Sequence, residues 1–223
     1  MSTLVEAERL GDRLQEVASR LVARPAFWLA LLAIPAAWPL IWSLKTPVPP
    51  KLPVLGTLPA FQLTDQAGHP FGSKNLAGRA WVASFIFTRC ATICPAITAK
   101  MSRIQDRTRN LGAAFHLVSF SVDPEFDTPE RLAAYARGHR ASPRLWSFLT
   151  GPDAEVKEAV VNGLKIAVGR EKSDDGRFDG IFHGSHLVLV DQRGRVRGYY
   201  DSDDRDVVEQ VVRDAGLLAN RGD

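Results

Sequence analysis

The longest uncharged stretch of the chain restricts its possible folds more than any other feature of the sequence. Twenty consecutive residues between Arg24 and Lys45, residues 25–44, carry no charge. About 20 apolar residues are enough to cross the hydrocarbon core of a bilayer as a helix. Pro35 and Pro39 would kink such a helix without preventing it from spanning. The sequence therefore predicts one transmembrane helix over residues 25–44.

The predicted anchor separates a short leading segment from a large domain. Apolar residues at helical spacing predict an amphipathic segment over residues 1–24. Five prolines predict a stiff linker over residues 45–59, which leaves residues 60–223 as the soluble domain. Four arginines precede the anchor, so the positive-inside rule places the leading segment in the cytoplasm. Acidic residues in that segment disfavour a transit peptide, and the expected location is a bacterial inner membrane with the domain on the periplasmic side.

The charge of the chain argues against a nucleic-acid partner. Its formal net charge is +3, but residues 52–223 contain 22 Lys and Arg against 21 Asp and Glu. A nearly neutral domain without a basic stripe lacks the electrostatic signature of a protein that binds a polyphosphate. We therefore expect no nucleic acid among the partners.

The soluble domain alternates apolar strands with amphipathic helices. Strands are predicted at 80–87, 115–122, 145–149, 186–190 and 196–200, and helices from Cys94, from Thr128, over 153–165 and over 203–218. This order predicts an α/β, thioredoxin-like fold with a mixed central sheet. The polar stretch from Arg170 to Gly180 predicts an inserted hairpin or loop before the last strands.

The two cysteines of the chain lie where a buried strand passes into a helix. Cys90 follows the strand predicted at 80–87, and Cys94 stands at the start of the next helix. Ligands gather at this edge of open α/β sheets, and the helix N-terminus is expected to stabilise a thiolate and lower its pKa. The pair is therefore predicted to exchange disulfides or bind a soft metal, rather than to form a purely structural disulfide.

The spacing of the cysteines favours a metal. Thioredoxin-type dithiols are separated by two residues, whereas Cys90 and Cys94 are separated by three. Two thiolates favour Cu(I), since no further cysteines complete a zinc or iron–sulfur site. A third ligand should then be a histidine. The positions of His69, His116 and His139 indicate structural or solvated roles, which leaves His183 and His186 open.

Three ordered motifs resemble the Sco/SenC family. They are Phe87–Pro95 with both cysteines, Ser121–Glu130, and His183 eight positions before Asp191. The resemblance covers about residues 52–218 and also the anchor. Ala91 and Gly184 depart from residues common in the family, but neither removes a ligand.

The resemblance implies a membrane-anchored, thioredoxin-fold copper protein of cytochrome c oxidase assembly. It implies that Cys90, Cys94 and His183 bind copper, as Cu⁺ or Cu²⁺, and that His186 is not a principal ligand. Asp123 is either a residue that orients His183 or an ordinary turn residue.

The function expected from these residues is that of a copper metallochaperone. It would deliver copper to the binuclear copper site of cytochrome c oxidase subunit II, after receiving it from an upstream copper donor. Such a protein needs no catalytic turnover, but its cysteines must be reduced before copper binds, which implies a thiol reductant as a further partner. The alternative is a thiol-disulfide reductase that keeps the oxidase cysteines reduced with the redox pair Cys90 and Cys94, and for which His183 is dispensable.

Overall fold

The computed structural model describes residues 51–91, 93–172, 178–183 and 185–221, together with positions 15, 19, 20, 22–26, 28, 29, 33, 35, 37–39 and 42. For residues 169–172, 178–183 and 221 only the backbone is described. Among the residues so described, no helix is both long enough and apolar enough to cross a membrane. Much of the predicted anchor, residues 25–44, lies outside the described residues.

The chain divides into two compact units, Met1–Lys51 and Leu52–Asp223. The second unit contains the strands of the described chain, which are β1 Gly56–Thr57, β2 Gln62–Asp65, β3 Pro70–Gly72, β4 Ala80–Ile86, β5 Phe115–Ser121, β6 Trp146–Thr150, β7 Val168–Lys172, β8 Phe178–His183, β9 His186–Val190 and β10 Arg195–Asp201. Its helices are α1 Ser73–Leu76, α2 Ile93–Arg107, α3 Pro129–Gly138, α4 Asp153–Lys157 and α5 Val207–Arg221. A 3₁₀ helix, Arg109–Ala114, follows α2, and a π-helical turn, Glu158–Gly163, continues α4.

Eight strands form one mixed sheet in the order β1-β10-β9-β4-β5-β6-β2-β3. The central strands β4, β5 and β6 are parallel, and β9 pairs antiparallel with β4. Strands β9 and β10 form the predicted hairpin, and β7 pairs with β8 in a separate hairpin at the predicted insertion. The predicted thioredoxin-like α/β fold with a mixed central sheet is therefore confirmed.

The central strands are buried on both faces, as their continuous apolar sequences predict. Every residue of β4 and of β5 is buried. Their few polar side chains are satisfied inside the core: the hydroxyls of Ser84 and Ser119 lie 2.7 Å apart, and the Trp146 indole N–H donates to Ser119 Oγ at 2.9 Å. The rigid centre of the sheet fixes the loops that leave its carboxyl edge.

The helices begin close to the predicted positions. Thr128 caps α3 by accepting the Arg131 N–H, with Pro129 as the first helical residue, as predicted. Helix α2 begins at Ile93, so Pro95 is its third residue rather than its first. A proline is still tolerated there, because the amides of the first turn have no partner within the helix.

The compact domain begins earlier in the chain than residue 60. Residues 52–59, which the proline content assigns to the linker, include strand β1, and β1 pairs with β10. The Leu55 amide donates to the Val196 carbonyl at 2.8 Å, and the Arg197 guanidinium donates to the carbonyls of Leu52 and Pro53. Proline is compatible with an edge strand because one side of that strand needs no ladder hydrogen bonds.

The buried His116 in β5 should make stability depend on pH. Burial, assisted by the Arg79 charge, lowers the pKa of His116 to about 4, while its Nε2 lies 3.0 Å from Ser147 Oγ. The unfolded chain therefore takes up a proton at a higher pH than the folded chain does. The free energy of unfolding should fall as the pH drops below about 6.5, by about 3 kcal/mol once the pH reaches about 4.

Urea unfolding across this pH range would measure the effect. In His116→Gln the free energy of unfolding should lose the part of its pH dependence that comes from the His116 imidazole. In His69→Gln, where the exposed histidine is replaced, the free energy of unfolding should keep the pH dependence of the parent. Equal slopes in His116→Gln and the parent would contradict the assignment.

Candidate metal centre

The cysteines lie at the carboxyl edge of the sheet, between β4 and α2. Strand β4 ends at Ile86, and the chain then turns so that the Cys90 amide donates to the Phe87 carbonyl at 3.1 Å. Cys90 therefore lies four residues beyond the strand, while Cys94 is the second residue of α2. The junction places both sulfur atoms near the N-terminus of α2.

The two thiols differ in exposure. Cys90 is half-buried, whereas Cys94 is completely buried. No disulfide joins them in this structure, and the Cys94 amide donates to Cys90 Sγ at 3.5 Å. A hydrogen bond from the first turn of a helix to sulfur stabilises a thiolate on the outer cysteine.

Burial opposes ionisation of the inner cysteine. It raises the pKa of the Cys94 thiol, and this effect exceeds the opposite effect of the backbone hydrogen bond at Phe87. The expectation that the helix N-terminus lowers the pKa is therefore wrong for Cys94, since loss of solvation outweighs the helix dipole. The site has an accessible outer sulfur and a protonated inner one.

A hydroxyl pair packs behind Cys94. Thr98 Oγ1 donates to the Cys94 carbonyl at 2.8 Å and lies 2.8 Å from the Tyr135 hydroxyl. Because the Thr98 hydrogen is used in the first bond, Tyr135 donates in the second. Burial is the main cause that raises the pKa of Tyr135 to about 12. Both hydroxyl groups are neutral near pH 7, so neither of them stabilises a thiolate on Cys94 through its charge.

A buried carboxylate holds the loop that carries Cys90. Asp127 accepts the amide of Thr88 at 3.1 Å and its hydroxyl at 2.5 Å, and it accepts the Ser121 hydroxyl at 2.6 Å. Asp127 is fully buried, and burial raises its pKa despite these hydrogen bonds. The carboxylate joins the loop after β4 to the end of β5 and to the loop before α3.

Asp123, a candidate partner of His183, forms an ion pair with a different residue. Its Oδ2 accepts a hydrogen bond from Arg89 Nε at 2.6 Å, and the carboxylate is nearly inaccessible to solvent. The Arg89 guanidinium also lies 4.9 Å from the centre of the Phe126 ring. Asp123 thus fixes the residue immediately before Cys90.

The candidate histidines lie on two consecutive strands that belong to different sheets. His183 is the last residue of β8, where its backbone pairs with Val168, and its side chain lies outside the described part of the structure. His186 begins β9 opposite Asp201 and is half-buried. Among the described residues, no three His, Cys, Asp or Glu side chains are grouped so that they could hold a metal ion. The structure thus brings Cys90 and Cys94 together, and a role for His183 stays a prediction.

Sequence reasoning did not single out the groups that support the cysteines. Asp127, Thr88 and Arg89 fall inside the motifs quoted above, but their mutual contacts join segments 34 and 39 residues apart in sequence. The signal available in the sequence was the position of two polar residues directly before Cys90, at the end of a strand that is otherwise apolar.

The sequence model of the SCO1/SenC family matches residues 55–215. A SCO1 protein homolog of Bacillus subtilis (strain 168) is 32% identical over 155 residues, which are 69% of this chain and 78% of that protein. The solved structure of BsSco, titled as a member of the Sco family of cytochrome c oxidase assembly proteins with a disulfide switch, is 31% identical. It has a TM-score of 0.65 and covers 76% of this chain and 97% of its own. Yeast Sco1 with copper bound is 25% identical, with a TM-score of 0.57 and coverage of 74% and 88%.

Removing the Asp127 carboxylate should destabilise the domain and loosen the Cys90 loop. In Asp127→Ala the half-buried Thr88 amide and the buried Ser121 hydroxyl lose their acceptor, which should lower the free energy of unfolding by roughly 2–4 kcal/mol. Asp127→Asn keeps one acceptor oxygen and should lose less. Urea unfolding measures stability, and the rate of Cys90 alkylation measures the loop.

The exposed carboxylate of Asp106 supplies the control for this prediction. It pairs with Arg109 three residues away on the surface, so Asp106→Ala should change stability by no more than about 0.5 kcal/mol. An Asp127→Ala protein as stable as this control would show that the carboxylate does not hold the loop.

Proposed function

The chain belongs to the SCO1/SenC family, and we propose that it is a copper chaperone that binds copper through Cys90, Cys94 and His183. The observation that carries the proposal is the thiol pair at the carboxyl edge of the sheet, joined by the hydrogen bond from the Cys94 amide to Cys90 Sγ. The copper-bound structure of the yeast relative supports the choice of metal.

The donor atoms suit a soft monovalent metal. Two sulfur ligands select Cu(I) over harder cations, and neutral imidazole is a common copper ligand. The inner thiol is buried and burial raises its pKa, so its proton is the charge that copper would replace. A thiolate on the buried Cys94 then becomes tolerable, because the metal supplies the compensating charge.

The third ligand is proposed to be His183 rather than His186. His183 closes β8 in the inserted hairpin, whereas His186 is part of β9 in the central sheet and pairs with Asp201 across the ladder. A ligand on a separate hairpin can adjust to the metal without disturbing the sheet. Three ligands also leave a position open to an incoming donor, so copper can leave by stepwise exchange.

The proposed recipient is the binuclear copper site of cytochrome c oxidase subunit II. The support for this partner is membership of a family whose member BsSco is described as a cytochrome c oxidase assembly protein. An upstream copper donor and a reductant of the cysteine pair complete the cycle, since copper binds only the reduced pair.

The proposed location is a bacterial inner membrane, with residues 25–44 as a single-pass anchor and the domain on the periplasmic side. The uncharged stretch and the arginines before it support this arrangement. A tethered donor would meet a membrane-bound oxidase in two dimensions, which raises the effective concentration of the pair.

A thiol-disulfide reductase is the second candidate, and the asymmetry of the thiols favours it. A half-buried, hydrogen-bonded sulfur beside a completely buried, protonated one is the arrangement that disulfide exchange requires. The Cys90 thiolate would attack a partner disulfide, form a mixed disulfide and release one partner thiolate. The Cys94 thiol would then give its proton to the released partner thiolate and attack Cys90 Sγ, which releases the second partner thiolate and leaves the protein oxidised.

Copper titration tests the chaperone. A reduced fragment of residues 46–223, titrated anaerobically with Cu(I) against a chromophoric chelator, should bind one tight equivalent. Cys90→Ser, Cys94→Ser and His183→Ala should each weaken binding by at least about 100-fold, because losing a direct ligand should cost more than losing a residue behind it. His186→Ala is the matched control and should bind like the parent. If His183→Ala binds as tightly as His186→Ala, the three-ligand site is refuted.

Trapping of mixed disulfides tests the reductase. With a peptide disulfide that models oxidised oxidase cysteines, Cys94→Ser should accumulate an adduct on Cys90, since no second thiol can resolve it. Cys90→Ser should react far more slowly, because its remaining thiol is buried. Equal adduct yields from the two variants would argue against this exchange. His183→Ala should reduce disulfides at the parent's rate.

A further inference from the structure

The two edges of the central sheet carry opposite charge. Segments 77–79, 109–114 and 139–145 precede the parallel strands β4, β5 and β6, and segment 191–194 forms the β9–β10 turn. Together they form one edge, here called the basic edge. The thiols lie at the opposite edge, here called the thiol edge, where β4 and β5 end.

The basic edge is rich in arginine. Its arginines, all in described segments, are Arg79, Arg109, Arg140, Arg144 and Arg193. In these four segments the one acidic residue is Asp191, which is buried and already bonded to Arg195 and Arg197. Of the nearby carboxylates, Asp106 pairs with Arg109, and Asp65 accepts backbone amides in the β2–β3 turn. The edge therefore keeps an excess of exposed positive charge.

The thiol edge is acidic. Its described segments 87–91, 122–128 and 201–206 contain two basic residues, Arg89 and Arg205. Two cations from the adjoining helices also reach this edge, since Lys100 donates to the Ser202 carbonyl and Arg131 to the Phe126 carbonyl. Against these stand the carboxylates of Asp123, Glu125, Asp127, Asp201, Asp203, Asp204 and Asp206. A nearly neutral domain is thus electrically polar along its strands, and an anionic surface attracts one edge while it repels the other.

The basic edge also contains one polar recess and one apolar recess. A polar cavity of about 350 Å³ lies between Arg109 and Arg140, with Ser102, His139 and the Arg109-paired carboxylate of Asp106 in its wall. Beside the β9–β10 turn, an apolar hollow of about 290 Å³ is lined by Leu58, Phe61, Trp81 and others. Guanidinium groups beside a polar cavity suit a phosphodiester headgroup.

The chain enters the domain at this edge. Arg197, near the start of β10, holds the carbonyls of Leu52 and Pro53. Residues 45–51 can span at most roughly 25 Å when fully extended. If residues 25–44 are the membrane anchor, this short tether keeps the point of entry close to the lipid surface.

We propose that the basic edge binds the anionic headgroups of the membrane surface and thereby turns the thiol edge away from the bilayer. This inference goes beyond copper binding and requires neither copper nor the cysteines. Charge complementarity, the polar cavity and the position of chain entry favour a lipid surface over an acidic protein. The consequence is a fixed direction of presentation, in which Cys90 faces partners that project from the membrane.

Co-sedimentation of the anchor-free domain with vesicles tests the proposal. The fragment 46–223 is suitable because the hydrophobic core lies within the unit Leu52–Asp223. Without copper, it should bind vesicles of equal parts phosphatidylglycerol and phosphatidylcholine, should not bind pure phosphatidylcholine, and should dissociate at high salt. Arg140→Asn with Arg144→Gln should weaken binding by roughly 25-fold, since each basic residue near an anionic surface contributes a factor of roughly five. Asparagine suits the positive φ of Arg140.

A charge-matched variant and a folding check complete the test. Lys157→Gln with Arg205→Gln removes the same charge away from the basic edge and should change vesicle binding by roughly two-fold or less. Unchanged urea midpoints establish that both variants fold. Equal weakening in the two double variants, or no binding to the anionic vesicles, overturns the proposal. A further outcome would also overturn the membrane proposal. If the parent self-associates but does not bind vesicles, and Arg140→Asn with Arg144→Gln abolishes the self-association, the basic edge binds a second copy of the chain head to tail.

Discussion

The arrangement of the thiol site depends on one buried carboxylate. Asp127 bonds to Thr88 in the loop before Cys90 and to Ser121 at the end of β5, so three segments meet at a single carboxyl group. A carboxylate can remain in a buried position only when donors compensate for lost solvation. The same donors therefore stabilise Asp127 and determine the path of the chain. Without this junction the half-exposed loop would have little to hold Cys90 against the amide of Cys94.

The burial of Cys94 relates the two candidate functions to each other. In the reduced protein without metal, loss of solvation keeps the inner thiol protonated. Copper binding and disulfide formation both remove this proton, one by supplying a cation and the other by forming a neutral sulfur–sulfur bond. Each process therefore removes the energetic cost of burying an unpaired thiolate at Cys94. The two processes therefore compete for the same sulfur atoms, and the redox state of the pair controls access to copper.

The sequence predicts the parts of the fold that are governed by local patterns. The continuous apolar runs of β4 and β5 identify strands buried on both faces, and Thr128 with Pro129 identifies the start of α3. Strands β1 to β3 were not predicted, because they are two to four residues long and exist through pairing with distant strands. The prolines around β1 suggested a linker, but their effect on the backbone is also compatible with an edge strand.

The sequence predicts the position of the candidate site and the identity of its thiol ligands, but not the environment of each thiol. Two cysteines at a strand-to-helix junction identify the site, but their spacing does not reveal that Cys90 is only half-buried while Cys94 is completely buried. That difference arises from the packing of α2 against the sheet, as does the raised pKa of Cys94. The pairing of Asp123 with Arg89, and the bonding of Asp127 to Thr88, likewise depend on how parallel strands bring distant loops to one edge. Residue type thus indicates which atoms can bind a metal, whereas the tertiary fold determines which of them must first lose a proton.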